Sequence, residues 1–179
     1  MRTLFILTTI LLLGLSVQGQ NYASSVGLSG GYVEDGFGGN ATFNFHMNRY
    51  SYIQIGIFAS FSNEEYAGSE IPYNVFAFQP GYYRRIAVLN TRNPISFYLG
   101  GGAIGGYEII NNGKSELPSG ALITARSQFI YGGFAGGEIE FQLKENLSLA
   151  IKGQQHYHVN SDIGKMYPFI GGSIRYYLY

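Results

Sequence analysis

The chain has no cysteine, no tryptophan, five prolines and three histidines. Without cysteine there are no disulfides, no thiol nucleophile and no thiolate metal site, and no lipid anchor through an N-terminal cysteine. Charge is scarce as well. Ionisable side chains make up 12% of the residues, roughly half the usual share. Eleven basic and eleven acidic residues cancel, so no excess of either sign points to nucleic acid or an anionic surface, and no direct nucleic-acid binding is expected. A soluble domain with so few charges is poorly guarded against association. After Leu15 no apolar run has the ~20 residues of a membrane-spanning helix, so a mature chain that enters a membrane must do so as strands.

What is present fits that route. Met1–Gly19 reads as a secretory signal, with Arg2 before the apolar stretch Leu4–Leu15 and cleavage expected before Gln20. Gln20–Tyr179 then reads as one domain. It is rich in glycine (26), tyrosine (16) and phenylalanine (13), and eight segments alternate with period 2. Ala41, Phe43, Phe45 and Met47 oppose Asn40, Thr42, Asn44 and His46; Ile53, Ile55, Ile57 and Phe61 oppose Tyr52, Gln54, Gly56 and Ser60. Phe129, Tyr131, Ala135, Ile139 and Phe141 oppose Gln128, Gly132, Gly136, Glu138 and Glu140. No segment sustains a 3.6-residue period, so the pattern predicts strands and no helix. Asp35–Gly39, Ser62–Ile71, Asn111–Thr124 and Asn160–Lys165 read as longer loops alternating with tighter turns. Pro72 is expected to open the fourth segment, and Pro80 within it to mark an edge or a bulge.

Strand number, strand length and loop asymmetry predict an all-β, eight-stranded antiparallel up-and-down outer-membrane barrel. Eight strands leave an interior just wide enough for side chains. The apolar rows would face lipid, where a midplane charge costs about 2–4 kcal/mol. The polar rows, with Glu138, Glu140, Lys152 and Arg175, would face the lumen. If the Lys144–Asn146 turn sets Leu143 opposite Leu147, Glu138 falls opposite Lys152. The expected interior network is then a Glu138–Lys152 pair joined by Glu140 and Arg175. A soluble lipocalin-like binding barrel shares the strand period but places its apolar rows inside. Polar residues on the lumenal parity and continuous outward apolar rows favour the membrane form.

Catalytic and metal-binding patterns do not develop. Gly100–Gly105 satisfies G-x-G-x-x-G, but its flanks alternate and no helix opens after it, so it is not a dinucleotide loop. Gly100, Gly102 and Gly106 share the inward parity, as do Gly132 and Gly136 on the next strand, and glycine there lets a narrow barrel curve and admits inward aromatics. His156 and His158 share a strand face, yet the third histidine, His46, lies far off, and a metal needs three or four convergent ligands. Glu64-Glu65 reads as a solvated loop pair, and the two N-x-S/T sequons, at Asn40 and Asn146, fall on strands. No serine–histidine–aspartate set can be nominated. Neither an enzyme nor a cofactor is expected.

Asp35-Gly36-Phe37, Ile71-Pro72, Gly81-Tyr82-Tyr83, Phe97–Gly101, Gly106-Tyr107-Glu108, Leu117–Ala121 and Tyr131-Gly132-Gly133 follow one another in an order and spacing that resembles the TraO family, conjugal transfer proteins of conjugative transposons in Bacteroides-type Gram-negative bacteria. That resemblance implies an exported, outer-membrane component of a DNA-transfer apparatus, working beside other conjugal transfer proteins and contacting membrane lipids. It carries over no catalytic residue. A stand-alone small barrel serving adhesion or envelope integrity is the alternative. In either case the longest loop, with Asn111, Asn112, Lys114, Glu116 and Pro118, is the candidate partner contact, since loops on a rigid scaffold carry recognition.

Overall fold

The computed structural model describes residues 24–66, 69–90, 94–114, 125–162 and 165–178. The signal segment Met1–Gly19, and Glu116 and Pro118 of the candidate loop, lie outside them. Eight strands, β1 (Ser24–Val33), β2 (Gly36–Asn48), β3 (Ser51–Tyr66), β4 (Ser69–Leu89), β5 (Ile95–Ile110), β6 (Gln128–Lys144), β7 (Leu147–His158) and β8 (Met166–Leu178), pair in chain order, and β8 closes on β1. Every ladder is antiparallel. The fold is therefore the closed up-and-down barrel that the alternation predicts. Among the described residues the one helical element is a 3-10 turn, Asn111–Gly113.

The ladders climb as they go round. Partners followed from Ser24 run through Phe45, Ile53, Tyr82, Gly101, Ala135 and Gln155 to Pro168, next to Phe169, which pairs with Val33 near the far end of β1. A stagger of about ten residues over eight strands tilts the strands strongly against the barrel axis and leaves a narrow bore. The closing seam contains three small pairs in succession: Ser29 faces Ser173, Gly30 faces Gly172 and Gly31 faces Gly171. The wall also comes close to itself around the glycine-rich β5. A β-carbon on Gly100 would overlap the Tyr82 carbonyl oxygen and lie 2.6 Å from the Tyr83 ring. Glycine there is what lets Tyr83 turn inward.

Both described chain ends and the turns β2–β3, β4–β5 and β6–β7 share one end of the barrel, here the turn end; the other four connections form the loop end. Each turn-end hairpin carries a register irregularity, at His46/Asn48, Arg85/Ala87 and Gln142/Lys144. Pro80, expected at an edge or a bulge, sits within an unbroken β4. It pairs with Ile55 of β3, and the β4–β5 ladder keeps its register while omitting Gln79 and Pro80. A missing N–H thus loses rungs without bending the strand.

Two expected loops are strand instead. Gly36–Gly39 belongs to β2 and pairs with β1 and β3, which leaves a two-residue turn whose Asp35 takes φ 52°, a left-handed conformation that Asp tolerates better than most residues. The Ser62–Ile71 stretch continues β3 and β4 up to the pair Tyr66–Ser69, so β4 opens three residues before Pro72. β2 reaches only Ser62 and β5 only Tyr73, so this hairpin runs on as two strands past both neighbours.

The lumen is filled in layers. Next to the turn end, Tyr52, Tyr83 and Tyr98 pack together, with Tyr52 and Tyr83 stacked at 5.1 Å. Above them lies an apolar layer of Val33, Phe58, Ile104, Phe134 and Phe169, all buried. The loop end is capped by Tyr73, Glu108, Gln128, Ser161 and Tyr167. Aromatic rings on the inward parity thus do the filling that an eight-stranded bore requires.

Candidate functional site

Three surfaces could act: the outer wall, the lumen and the loop end. On the outer wall Leu28, Ile53, Ile55, Ile57, Leu99, Ile151 and Ile174 are exposed. Towards the loop end Tyr32, Phe37, Phe61, Phe76, Tyr107, Phe129, Tyr131 and Tyr157 are exposed around the circumference, and towards the turn end Phe45, Tyr50, Tyr82 and Tyr176. Among the described outward-facing residues between these two aromatic bands there is no charge. An uncharged apolar wall between aromatic girdles is the surface that lipid requires, and one that water would penalise.

In the lumen the four polar residues singled out from the sequence lie together and are all buried. The register sets Glu138 opposite Lys152, but the ion pairs run through Arg175. Its Nη2 lies 2.6 Å from Glu138 Oε1 and its Nη1 2.6 Å from Glu140 Oε2. Lys152 Nζ instead donates to Gln54 Oε1 at 2.7 Å and sits 5.2 Å from the centre of the Tyr83 ring. The reason is geometric. An inward side chain stands perpendicular to its sheet, so in a narrow bore it reaches across to another strand more readily than sideways to its ladder partner. Tyr52 Oη donates to Glu138 and Tyr177 Oη to Glu140, while Arg175 Nη2 also donates to Tyr52 Oη. One cation and two tyrosines thus hold two buried carboxylates at the turn end.

The loop end holds a carboxylate that the sequence did not single out. Glu108 is fully buried. It accepts from Tyr73 Oη at 3.0 Å, Gln128 Nε2 at 2.9 Å and Ser161 Oγ at 2.7 Å, which joins β4, β5, β6 and the β7–β8 connection. Its signal was available: Glu108 shares the inward parity of β5, and Gln128 faces it across the ladder. His156 and His158 stack with ring centres 6.4 Å apart and flank Tyr167. His46 is at the turn end, bonded to Ser25 and packed on Tyr52 and Tyr177. Among the described residues no three metal-ligating side chains converge.

The candidate loop begins as a run of left-handed residues, Asn111, Asn112 and Gly113. Asn111 is buried, and its Nδ2 donates to the Lys114 carbonyl at 3.0 Å. Ser127 Oγ accepts from the Ile110 amide at 3.0 Å and anchors the return of the loop. Asn112 and Lys114 are exposed.

Two solved structures are similar over most of the chain. Neisserial surface protein A matches with a TM-score of 0.58 at 11% identity, covering 89% of this chain and 99% of that one. Ail, the attachment invasion locus protein of Yersinia pestis, solved with the heparin analogue sucrose octasulfate, matches with a TM-score of 0.51 at 13% identity, covering 87% and 95%. At such identities the likeness is one of fold: both are eight-stranded outer-membrane barrels. No curated protein matches in sequence. Residues 14–178 match the family of conjugative transposon protein TraO, and with nearly the whole chain covered, the protein belongs to that family.

Proposed function

We propose that this protein is a structural, non-catalytic outer-membrane component of a conjugative DNA-transfer apparatus. The observation that carries the reading is the family match over residues 14–178, on a barrel whose outer wall is uncharged between two aromatic bands. Export would use the Met1–Gly19 signal. Short turns on such barrels face the periplasm and longer loops the outside, which would place the Arg49, Asn90 and Asn146 turns in the periplasm and the Asn111–Lys114 stretch, Glu116 and Pro118 outside. A lumen packed with side chains supports an anchoring or assembly role over conduction or catalysis. Its partners would be other transfer proteins, reached through the loops on one side or the turns on the other.

The test is a clean deletion in a donor carrying the element, with mating frequency as the readout. Frequency is expected to fall to background and to return when the gene is supplied in trans. Unchanged frequency would overturn the transfer role. Fractionation of the complemented strain should recover the folded, heat-modifiable protein with outer membranes.

A further inference from the structure

The zero net charge conceals an uneven distribution. Among the described residues of the turn end, exposed or half-exposed Arg49, Arg84, Arg85 and Lys144 face a single exposed acid, Glu145. Three of these cations cluster at the foot of β2, β3 and β4. Arg49 and Tyr50 form the β2–β3 turn, Ser51 pairs with Arg84, and the Arg85 amide donates to the Tyr50 carbonyl at 2.6 Å. The Arg85 guanidinium lies over the Tyr50 ring, 5.1 Å from its centre. Neither Arg49 nor Arg84 has an ion-pair partner among the described residues.

The placement of Arg84 chooses the partner. It shares the outward parity of β4 with Phe76, Phe78 and Tyr82, and so stands at the lower margin of the lipid-facing wall. Directly above it lie exposed Tyr82 and, on the neighbouring strand, Ile53. A guanidinium pair below an apolar wall matches a molecule with an anionic head and a hydrocarbon tail. A soluble acidic protein could meet Arg49, but it would have to displace lipid to use Tyr82 and Ile53. Arginine is also suited to phosphate because its fork can donate two parallel hydrogen bonds to one group. Resting on the outer-membrane, turns-inward orientation above, we infer that the foot of β2–β4 is a binding site for an anionic phospholipid of the periplasmic leaflet, with Arg49 and Arg84 on its phosphate and Ile53 and Tyr82 along its acyl chain.

The test uses the protein extracted from outer membranes in a neutral detergent and titrated with phosphatidylglycerol, phosphatidylcholine or inorganic phosphate. Native mass spectrometry counts bound lipid, and melting followed by circular dichroism reports stabilisation. Phosphatidylglycerol is expected to bind saturably and raise the melting temperature above the value in phosphatidylcholine, with inorganic phosphate ineffective. The double variant R49Q/R84Q should weaken phosphatidylglycerol binding by about thirtyfold, whereas R126Q/K165Q at the loop end should leave it unchanged. Equal binding of the two lipids, full binding by the arginine variant, or equal stabilisation by inorganic phosphate would each overturn the site. Displacement of the lipid by polyglutamate at matched charge would reassign the surface to an acidic protein. If R49Q/R84Q fails to fold, the lipid comparison on the unaltered protein decides alone. Heat-modifiable mobility in the same preparation checks the barrel separately, so a missing lipid preference in a folded barrel rejects this site without touching the transfer role.

Discussion

The two ends of the lumen solve the same problem differently. At the turn end Glu138 and Glu140 are held by a cation, Arg175, with 2.6 Å contacts to each. At the loop end Glu108 is held by neutral donors, Tyr73, Gln128 and Ser161. Between them lie Phe58, Phe134 and Phe169, with His156 packed on the first two and joined through Gln79 to Asn40. The contrast teaches that burial of a carboxylate demands saturation of its oxygens, and that an opposite charge is one means among several. The ionic solution concentrates dependence on a single residue. The neutral one spreads it over two strands and a connection.

That difference can be broken at either end. Arg175→Met strands two buried carboxylates at once and is expected to destabilise by about 3–5 kcal/mol, read as a large drop in the denaturant midpoint of the detergent-folded protein. A small drop would mean that water replaces the guanidinium. Adding E138Q and E140Q to that variant removes the stranded charges and should restore more than half of the lost stability; no recovery would show that Arg175 acts through packing on Tyr52, not through charge. The smallest effect is expected from Glu108→Gln, about 1 kcal/mol. The Tyr73 and Ser161 hydroxyls can each accept as well as donate, so an amide there keeps partners. A loss as large as that of Arg175→Met would show that the loop-end cap depends on charge after all.

The sequence made the strands and their faces legible because apolar and polar residues alternate along them, with few departures on the outer wall such as exposed Gln155. The Glu138–Lys152 register was anticipated, but not its cause: Leu147 pairs with Lys144 instead of Leu143, and an irregularity at Gln142/Lys144 restores the count. What remained hidden lies across the bore. Arg175 on β8 meets Glu138 and Glu140 on β6, two strands away, and no ladder count reveals which inward side chains converge. Inward aromatics were expected beside the glycines, and Tyr52, Tyr83 and Phe134 were on the polar parity all along, but which rings meet across the bore could not be read. Gly36–Gly39 has turn chemistry in isolation, and pairing on both sides overrode it. The polar Ser62–Ile71 stretch read as a loop because composition does not show that its two strands pair with each other beyond the reach of β2 and β5.

The seam between β1 and β8 has one more consequence. The last strand made must find the first, the longest sequence separation in the molecule and the slowest kind of pairing to form. Beside Leu28–Ile174 that seam has three small pairs in succession, Ser29–Ser173, Gly30–Gly172 and Gly31–Gly171, which resist a slip along the strand less than larger side chains do. A two-residue slip would keep every residue on its proper face, so lipid alone cannot forbid it. Such a slip would carry Arg175 on β8 a whole residue pair away from Tyr52 on β3, and Tyr167 away from Ser60 and Ser62. These bonds from β8 to β3, which reach past the seam through the lumen, therefore act as the pawl of the closing strand, admitting one register and rejecting its neighbours.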